Sequence, residues 1–276
     1  FLDEDSRQPL CDAALLLARA ANYTHAVTVE FLMDADTGAF YFIEVNPRIQ
    51  VEHTVTEQIT GVDIVKAQIR ITEGARIGDA DSFVPQQADI RMSGHALQCR
   101  VTTEDPENGF TPDYGKISVY RSAAGFGIRL DAGTAYSGAV ITPYYDSLLV
   151  KVTAWGRSSD EAALRMDRAL REFRVRGLAT NLQFLENVIA HPLFRSCECT
   201  TRFIDETPEL FQFVRRRDRA TRLLKFLGNV AVNGNPEMKG RKLPPLPLPR
   251  PQLPRTDLAV PPPHGTRDRL LELGPQ

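Results

Sequence analysis

The chain has 276 residues, of which 42% are hydrophobic and 25% are charged, a composition typical of globular proteins with about two domains. Its formal net charge of −2 gives no electrostatic basis for binding nucleic acid or a membrane surface. No apolar run approaches the roughly 18 residues that a membrane-spanning helix needs. The chain begins at Phe1 with no signal or transit pattern, and we expect it to be a fragment of a longer protein.

The first predicted elements are a helix over 7–20 and a β-hairpin. The helix carries Ala and Leu at helical periodicity. Two β-rich runs, 27–33 and 40–46, flank an Asp/Gly-containing loop that is typical of a hairpin turn. Pro47 has no N–H to donate to a sheet, so the second strand should end near Asn46 and continue as an irregular extended segment.

Polar groups occupy every second position from the end of this hairpin onward. Successive side chains of an extended chain alternate between faces, so these five could all point the same way. Five polar or charged side chains on one face are more than an ordinary half-buried strand carries, so this row is a candidate site. The five residues are Glu44, Asn46, Arg48, Gln50 and Glu52.

A second carboxylate is expected beside this row. If the hairpin loop is centred near Asp36, Glu30 falls opposite Ile43 or Glu44. Like charges on paired strands destabilise a sheet. Two carboxylates and the amide oxygen of Asn46 are the hard ligands that magnesium or manganese takes, usually together with substrate phosphates. The alternative, with equal weight, has Glu30 facing solvent while Glu44 pairs with Arg48.

The remaining elements predict an α+β fold with antiparallel strands. Two helices follow the polar row, then a loop that is a candidate domain boundary, then short strands separated by turn signals. Ser158 and Glu161 have capping-box spacing and open a helix that reaches about Phe173. The other predicted elements are helices at 54–60, 63–72 and 181–190, a loop at 76–89, and strands at 95–101, 116–121, 127–131 and 148–155.

The cysteines do not predict a zinc site. Cys11, Cys99, Cys197 and Cys199 have no C-x-x-C spacing and no neighbouring set of zinc ligands. Cys99 lies in a strand-like run, where a thiol acts as a small buried apolar group. A redox pair at Cys197 and Cys199 is the less favoured alternative, and a reducing compartment fits this cysteine usage best.

Three segments carry a resemblance to biotin-dependent carboxylases. Glu30 followed by EVNPRIQVEH over 44–53 resembles the end of their ATP-grasp site. HALQCRVTTEDP over 95–106 and YYDS over 144–147 resemble the C-terminal subdomain of biotin carboxylases. The resemblance implies the C-terminal half of an ATP-grasp domain over 1–75. It also implies a biotin carboxylase C-terminal subdomain, with an antiparallel sheet and helices, over 76–212.

The resemblance also implies roles for the polar row. Glu30 and Glu44, with Asn46 assisting, would hold the divalent ions, magnesium or manganese, on ATP. Arg48 would bind bicarbonate, because a permanently charged planar fork suits a small anion. Gln50 and the Val51 backbone would lie nearby, and Glu52 would be the general base that takes the bicarbonate proton.

On the strand at 95–101, Gln98 and Arg100 share one face. From the residues alone, the simplest interpretation of Arg100 is a surface arginine. The resemblance implies instead that Arg100 faces the site and stabilises the enolate formed when biotin loses its ureido proton, since a fixed cation aimed at developing negative charge is a strong catalytic device. Asp146 would be a partner of Arg100 or of biotin, and a turn aspartate is the alternative of nearly equal weight.

The segment 213–241 is basic and then amphipathic, and it resembles the connector to the allosteric domain in pyruvate carboxylases. The resemblance implies acetyl-CoA as an effector, with the family's effector arginines falling on Arg174, Arg176 and Arg219. The segment 242–276 is rich in proline and predicts a semi-rigid linker and the start of a further region.

The implied activity is ATP- and bicarbonate-dependent carboxylation of biotin, carried on a biotin carrier domain of a full enzyme that converts pyruvate to oxaloacetate. That full enzyme is expected to be a homotetramer of the cytoplasm or the mitochondrial matrix. We expect the chain alone to be inactive, since the family's ATP lid and bicarbonate lysine would lie outside it. The alternatives are the biotin carboxylase part of an acyl-CoA carboxylase and a non-catalytic assembly or regulatory fragment.

Overall fold

The computed structural model describes residues 2–133, 135–213 and 219–234 of the chain. The chain divides into two compact units, Phe1–Val214 and Arg215–Gln276, and each is considered by itself. Within the described residues, no helix combines the length and apolar character needed to cross a membrane. The predicted proline-rich linker at 242–276 lies outside the described residues, and the predicted division into the four segments 1–75, 76–212, 213–241 and 242–276 stays a prediction.

The first part of the larger unit alternates helices with one hairpin. Helix α1 begins after Asp3, whose carboxylate accepts a hydrogen bond from Ser6 N at 2.9 Å. Hydrogen bonding from Ser6, first from its side chain and then from its backbone N–H, lowers the pKa of Asp3 below its usual value. The last helix of this part, Ile64–Thr72, is capped in the same way by Asp63, whose carboxylate accepts a hydrogen bond from Lys66 N. The elements are α1 (Glu4–Ala20), β1 (Thr28–Met33), β2 (Phe40–Asn46), α2 (His53–Thr60) and α3 (Ile64–Thr72).

The second part contains short strands followed by helices. The strands are β3 (His95–Thr102), β4 (Glu104–Asp105), β5 (Thr111–Pro112), β6 (Gly115–Lys116), β7 (Val119–Arg121), β8 (Ile128–Ala132), β9 (Val140–Ile141) and β10 (Leu148–Gly156). Helix α4 (Ser159–Glu172) and strand β11 (Arg174–Arg176) come next. The unit ends with α5 (Leu182–Ala190), α6 (Pro192–Arg195) and α7 (Phe203–Glu206). Short 3-10 helices lie at Gln87–Asp89, Pro106–Asn108 and Pro208–Phe211.

All the strand pairs of the larger unit's described residues are antiparallel, as the sequence predicts. The largest sheet has the order β3-β10-β8, and the remaining pairs are β1-β2, β11-β7, β4-β5 and β6-β9. The prediction of one strand over 116–121 is wrong. The chain pairs with β9 as far as Lys116 and with β11 from Val119, and Ile117 between the two pairings is fully buried.

The hydrophobic core lies between the three-stranded sheet and α4. Val101, Val150 and Val152 of the sheet and Met166 and Leu170 of α4 are all at most 1% exposed. The helix begins as predicted, with Glu161 N donating to Ser158 Oγ at 3.2 Å. Cys99 belongs to this core, as predicted, and burial raises the pKa of its thiol to about 12.

The opposite face of the same sheet is polar, and α2 covers it. Two rows of side chains cross the three strands there, because residues paired across a sheet lie on one face. On this face Thr153 is fully buried against Thr54 of α2, and their hydroxyl oxygens are 2.7 Å apart. The rows are Arg100, Lys151 and Asp131, and Gln98, Thr153 and Arg129.

The second unit is described over 219–234, where α8 (Arg219–Asn233) forms an amphipathic helix, as the sequence predicts. Its apolar stripe includes Leu223, Leu224 and Leu227, which are more than half exposed. The side chain of Arg219 lies outside the described part of the chain.

Candidate functional site

The hairpin brings the two predicted carboxylates together. Glu30 pairs with Glu44 across β1 and β2, and the register shifts immediately after Glu30. The Asn46 amide bridges them, since Nδ2 donates to Glu30 Oε1 at 2.9 Å and to Glu44 Oε1 at 2.8 Å. Glu30 is half-buried and Glu44 is exposed. Of the two interpretations that the sequence left open, the structure has the one in which Glu30 faces Glu44.

The hairpin turn between β1 and β2 is built by Asp34. Its carboxylate accepts hydrogen bonds from the backbone N–H groups of Asp36 and Thr37, both at 2.9 Å. Of these, the bonds from Thr37 contribute most to lowering the pKa of Asp34 below its usual value. Gly38 closes the turn at a φ of 70°, a left-handed conformation that glycine adopts without strain. The register that starts at this turn has Phe31 opposite Phe42, which alone would put Ile43 opposite Glu30. The irregularity between Glu30 and Phe31 puts Glu44 there instead.

Next along the chain, Gln50 and Arg48 have different environments. Gln50 Nε2 donates to Glu30 Oε1 at 3.3 Å, which extends the amide contacts around Glu30. Gln50 Oε1 is buried without a hydrogen-bond partner. Arg48 is exposed and donates to Ile49 O at 3.3 Å, so it does not form the alternative pair with Glu44.

Glu52 and Arg100 meet although 48 positions separate them. Arg100 Nη2 lies 3.0 Å from Glu52 Oε2, with the two side chains 53% and 50% exposed. An ion pair that is this open to water contributes only about 0–1 kcal/mol to stability. The energy of this ion pair therefore does not explain why a guanidinium is held against this carboxylate.

A cavity of about 430 Å³ lies beside this pair. Arg100, Val51 and Asp146 all line it. Asp146 accepts a hydrogen bond from Leu148 N at 3.3 Å, which is the behaviour of a turn aspartate. The structure therefore has Asp146 at the same cavity as Arg100 but bonded to its own loop.

The sequence reasoning missed the contacts that seat α2 on the polar sheet face. Gln98 Nε2 donates to Val51 O at 2.7 Å and to Thr54 Oγ1 at 2.7 Å. Lys151 Nζ lies 3.3 Å from His53 Nε2. The shared face of Gln98 and Arg100 was visible in the sequence, but the partners of Gln98, more than 40 positions away, were not.

A second missed cluster centres on Glu57, which is 8% exposed. Its Oε2 accepts from Arg129 Nη1 at 2.6 Å, and its Oε1 accepts from Ile64 N at 2.8 Å. Arg129 also bonds Asp131, and that bond, ahead of the one to Glu57, raises the pKa of Arg129. His53 Nδ1 lies 3.3 Å from Glu57 Oε1 but is not aligned for a hydrogen bond. This cluster fixes α2 to β8.

The three arginines predicted for an effector are only partly described. Arg174 and Arg176 lie on β11, where they pair with Arg121 and Val119 of β7. Arg174 Nη1 donates to the backbone oxygens of Arg171 and Phe173, both at 2.6 Å. The side chain of Arg219 is outside the described residues, so the three-arginine site stays a prediction.

The hairpin offers two carboxylates to a divalent cation, those of Glu30 and Glu44. Across residues 2–133, 135–213 and 219–234, no group of three or more His, Cys, Asp or Glu side chains forms a metal cage. Magnesium, however, is usually held by one or two carboxylates plus substrate phosphates, and Glu30 and Glu44 supply two. A cation between them would require the Asn46 amide to rotate so that its oxygen faces the ion. The residues present fit such an ion.

Comparison with known proteins defines the class of this site. Residues 98–206 match the family "Biotin carboxylase C-terminal domain". Residues 1–79 match the family "Carbamoyl-phosphate synthase L chain, ATP binding domain". The hairpin carboxylates and Glu52 thus lie in a part similar to an ATP-binding domain, and Arg100 lies in a part similar to the C-terminal domain of biotin carboxylase.

The relatives narrow the class further. The chain is 50% identical over 273 residues to pyruvate carboxylase of Bacillus subtilis, covering 99% of this chain and 23% of the relative. It is 50% identical over 275 residues to human mitochondrial pyruvate carboxylase, covering 100% of this chain and 23% of the relative. The chain is homologous to the biotin carboxylase region of pyruvate carboxylases, and the recognition made from the sequence is confirmed. These matches favour that interpretation over an acyl-CoA carboxylase.

Solved structures agree with the sequence matches. The crystal structure of Rhizobium etli pyruvate carboxylase superimposes with a TM-score of 0.80 at 67% identity, over 91% of this chain and 23% of that chain. The biotin carboxylase domain of a thermophilic 2-oxoglutarate carboxylase bound to bicarbonate superimposes with a TM-score of 0.72 at 40% identity. That match covers 77% of this chain and 46% of that chain. The predicted α+β fold class is therefore confirmed.

Proposed function

We propose that this chain supplies the C-terminal half of a biotin carboxylase active site, in an enzyme that converts pyruvate to oxaloacetate. ATP and bicarbonate would give carboxyphosphate, which breaks to carbon dioxide and phosphate, and deprotonated biotin would then be carboxylated. The observation that carries the proposal is the Arg100–Glu52 contact of 3.0 Å at the end of the row that begins at Glu44. Homology to pyruvate carboxylases supports it.

Glu52 would act as the general base on bicarbonate. Its carboxylate takes the bicarbonate proton, the freed oxygen attacks the γ-phosphorus of ATP, and the bond to the leaving ADP breaks. Arg48, with Gln50 and the Val51 backbone, would hold the bicarbonate, because the guanidinium keeps its charge at every relevant pH. A base must lie within hydrogen-bond reach of its proton, and Glu52 lies four positions after Arg48 in the segment between β2 and α2.

Arg100 would act in the second half of the reaction. Loss of the ureido proton leaves negative charge on biotin, and a fixed guanidinium beside it stabilises that charge as it develops. The cavity of about 430 Å³ that Arg100 lines supplies space for a ring, with Asp146 at its edge. The biotin itself would arrive on a carrier domain from another part of the full enzyme.

Glu30, Glu44 and Asn46 would hold magnesium or manganese on the phosphates of ATP. A related biotin carboxylase domain, from Hydrogenobacter thermophilus 2-oxoglutarate carboxylase, was solved in complex with MgADP and bicarbonate. The metal would neutralise phosphate charge during transfer. What this chain contributes is a pair of carboxylates that the Asn46 amide bridges, with Gln50 also bonded to Glu30.

Acetyl-CoA is proposed as an effector, because Rhizobium etli pyruvate carboxylase was solved with acetyl coenzyme A as allosteric activator. Arg174 and Arg176, which pair with Arg121 and Val119 of β7, are the described part of the proposed site, and Arg219 is the third member. Clustered guanidiniums suit phosphate groups. The full enzyme is proposed to be a homotetramer of the cytoplasm or the mitochondrial matrix.

The experiment that tests the proposal uses two forms of the protein. One is the 276-residue chain, for which we expect no bicarbonate-dependent ATP cleavage. The other is a chimaera, in which this chain replaces the matching region of Bacillus subtilis pyruvate carboxylase. We expect the chimaera to cleave ATP only when bicarbonate is present and to form oxaloacetate from pyruvate. A folded chimaera that does neither contradicts the proposed function.

Replacing Glu44 by glutamine should weaken binding of the metal–nucleotide complex. The change removes one of two anionic ligands, and affinity for hard cations follows the charge of the ligand set. We expect the Kd for MgADP or MnADP to rise about tenfold, or about 1.4 kcal/mol. Titration calorimetry on the chimaera measures this, with Glu107→Gln, an exposed carboxylate on a 3-10 helix, as control. Equal Kd values in the Glu44 variant and the parent exclude Glu44 as a ligand.

A further inference from the structure

Three polar residues that no role yet accounts for lie directly behind Val51 and Glu52. They are Gln98 of β3, Thr54 of α2 and Thr153 of β10, and we call them the Gln98 node. We propose that the Gln98 node is a positioning device that sets the backbone at Val51, and through it the Glu52 carboxylate, against Arg100. This inference rests on the proposed function and deepens it, since it assigns bicarbonate activation a supporting set of residues.

Within the Gln98 node, both N–H groups of the Gln98 side-chain amide are hydrogen-bonded. Gln98 Nε2 carries two hydrogens, and it donates one to Val51 O and one to Thr54 Oγ1, both at 2.7 Å. The hydroxyl oxygens of Thr54 and Thr153 lie 2.7 Å apart, and both residues are 0% exposed. A buried polar group costs free energy unless it is bonded, so each member depends on the others for its place.

Folding alone does not call for a polar node at this position. The other face of the same sheet packs valines against α4, and matched apolar side chains would seal this face as well. Replacing both partners of a buried hydrogen bond with apolar groups of the same shape is nearly neutral for stability. Apolar packing, however, would not fix the position of the Val51 carbonyl oxygen, because dispersion contacts are not directional and a hydrogen bond is.

The position of the Val51 carbonyl matters because two side chains of β3 hold two consecutive residues, Val51 and Glu52. Gln98 and Arg100 are two positions apart on one face of β3, and they reach Val51 O and Glu52 Oε2. Arg100 and Glu52 are about half exposed, so their ion pair alone is weak and mobile in water. The bond from Gln98 fixes the backbone from which Glu52 extends, and β3 thereby sets both the base and the cation.

The node also ties the base to the rigid part of the molecule. Thr153 lies on the central strand of the three-stranded sheet, whose other face forms the core with Met166 and Leu170. Catalytic groups need support that holds them within about 0.5 Å of the productive position. Through Thr54 and Thr153, the segment before α2 gains that support from β10.

The test compares variants of the chimaera. Gln98→Leu removes both donors and keeps the volume, and misplacement of a catalytic group by about 1 Å costs up to 10²-fold in rate. We expect kcat/KM for bicarbonate to fall about tenfold or more, while KM for MgATP, whose ligands lie at the hairpin, stays at the parent value. Thr54→Val should act in the same direction, and Thr54→Ser, which keeps the hydroxyl, should recover most of the loss.

Thr56→Val is the matched control, because Thr56 lies on the same helix and faces solvent. Its kinetics should equal those of the parent. A role in stability alone would lower the melting temperature of Gln98→Leu and scale all kinetic constants together with the folded fraction. A selective effect on bicarbonate therefore separates positioning from stability. If kcat/KM for bicarbonate in Gln98→Leu equals the parent value, the proposal is wrong.

A second measurement needs no turnover and uses the 276-residue chain itself. Amide hydrogen exchange over 48–56 should be faster in Gln98→Leu than in the parent, because the Val51 carbonyl loses its anchor. Exchange over α4 should not change, and Thr56→Val should match the parent. An inactive chimaera would overturn the proposed function and leave this measurement valid. Unchanged exchange over 48–56 in Gln98→Leu would overturn the positioning role.

Discussion

Replacing Glu52 by glutamine should lower bicarbonate-dependent ATP cleavage by the chimaera by roughly 10²–10⁴-fold, the usual contribution of a general base. Glutamine has nearly the same shape, so the segment before α2 keeps its place, but the amide cannot take the bicarbonate proton. Since the base is absent at every pH, raising the pH should not restore the rate. Initial rates of ADP release, with and without bicarbonate, measure the effect.

The Glu52→Gln variant loses only a half-exposed ion pair, which contributes about 0–1 kcal/mol to stability. We therefore expect its melting temperature to stay close to that of the parent. Glu107→Gln, which neutralises an exposed carboxylate away from the site, should cleave ATP at the parent rate. A Glu52→Gln variant with more than a tenth of the parent rate would remove this residue from the role of base.

The second large effect is expected at Arg100. Replacing it by alanine removes the cation that would face the developing charge on biotin, and loss of one such group costs about 10²–10³-fold. Because Arg100 also holds Glu52 at 3.0 Å, ATP cleavage without biotin should fall as well, but by a smaller factor. Oxaloacetate formation and biotin-independent ATP cleavage, measured in parallel, give the two factors.

Arg100→Lys makes this prediction sharper. Lysine keeps the charge but replaces a planar fork by a compact ammonium, so the rate of biotin carboxylation should lie between those of the parent and of Arg100→Ala. Arg91→Ala, at an exposed position before β3, is the control and should match the parent. If Arg100→Ala lowers both rates by the same factor, Arg100 acts only through Glu52 and does not face biotin.

Local patterns in the sequence were sufficient for the hairpin and for the main helices. The Asp/Gly loop set the hairpin register closely enough that Glu44 was one of two expected partners of Glu30, and the structure pairs them. The end of β2 at Asn46 followed from Pro47, and the start of α4 followed from the Ser158 cap. Each of these features depends on residues that are close in the chain.

Features that depend on distant residues were not predictable in the same way. The break between Lys116 and Val119 arises because β6 and β7 pair with strands from different places in the chain. Glu57 and Arg129, which form an ion pair, are 72 positions apart in the chain, and no local sequence pattern predicts such a contact. Arg100 was placed at Glu52 by resemblance, and from the residues alone a surface arginine was the simpler interpretation.

The two ends of the candidate site differ in mechanical support. No residue of the two-stranded hairpin is fully buried, and an isolated two-stranded ribbon is marginal in water, whereas Glu52 is tied through its neighbours to the core sheet. A cation bridging Glu30 of β1 and Glu44 of β2 would therefore link the two strands of the ribbon. By linkage, it would stabilise the ribbon by RT ln(1 + [cation]/Kd), so metal occupancy and local order should rise together.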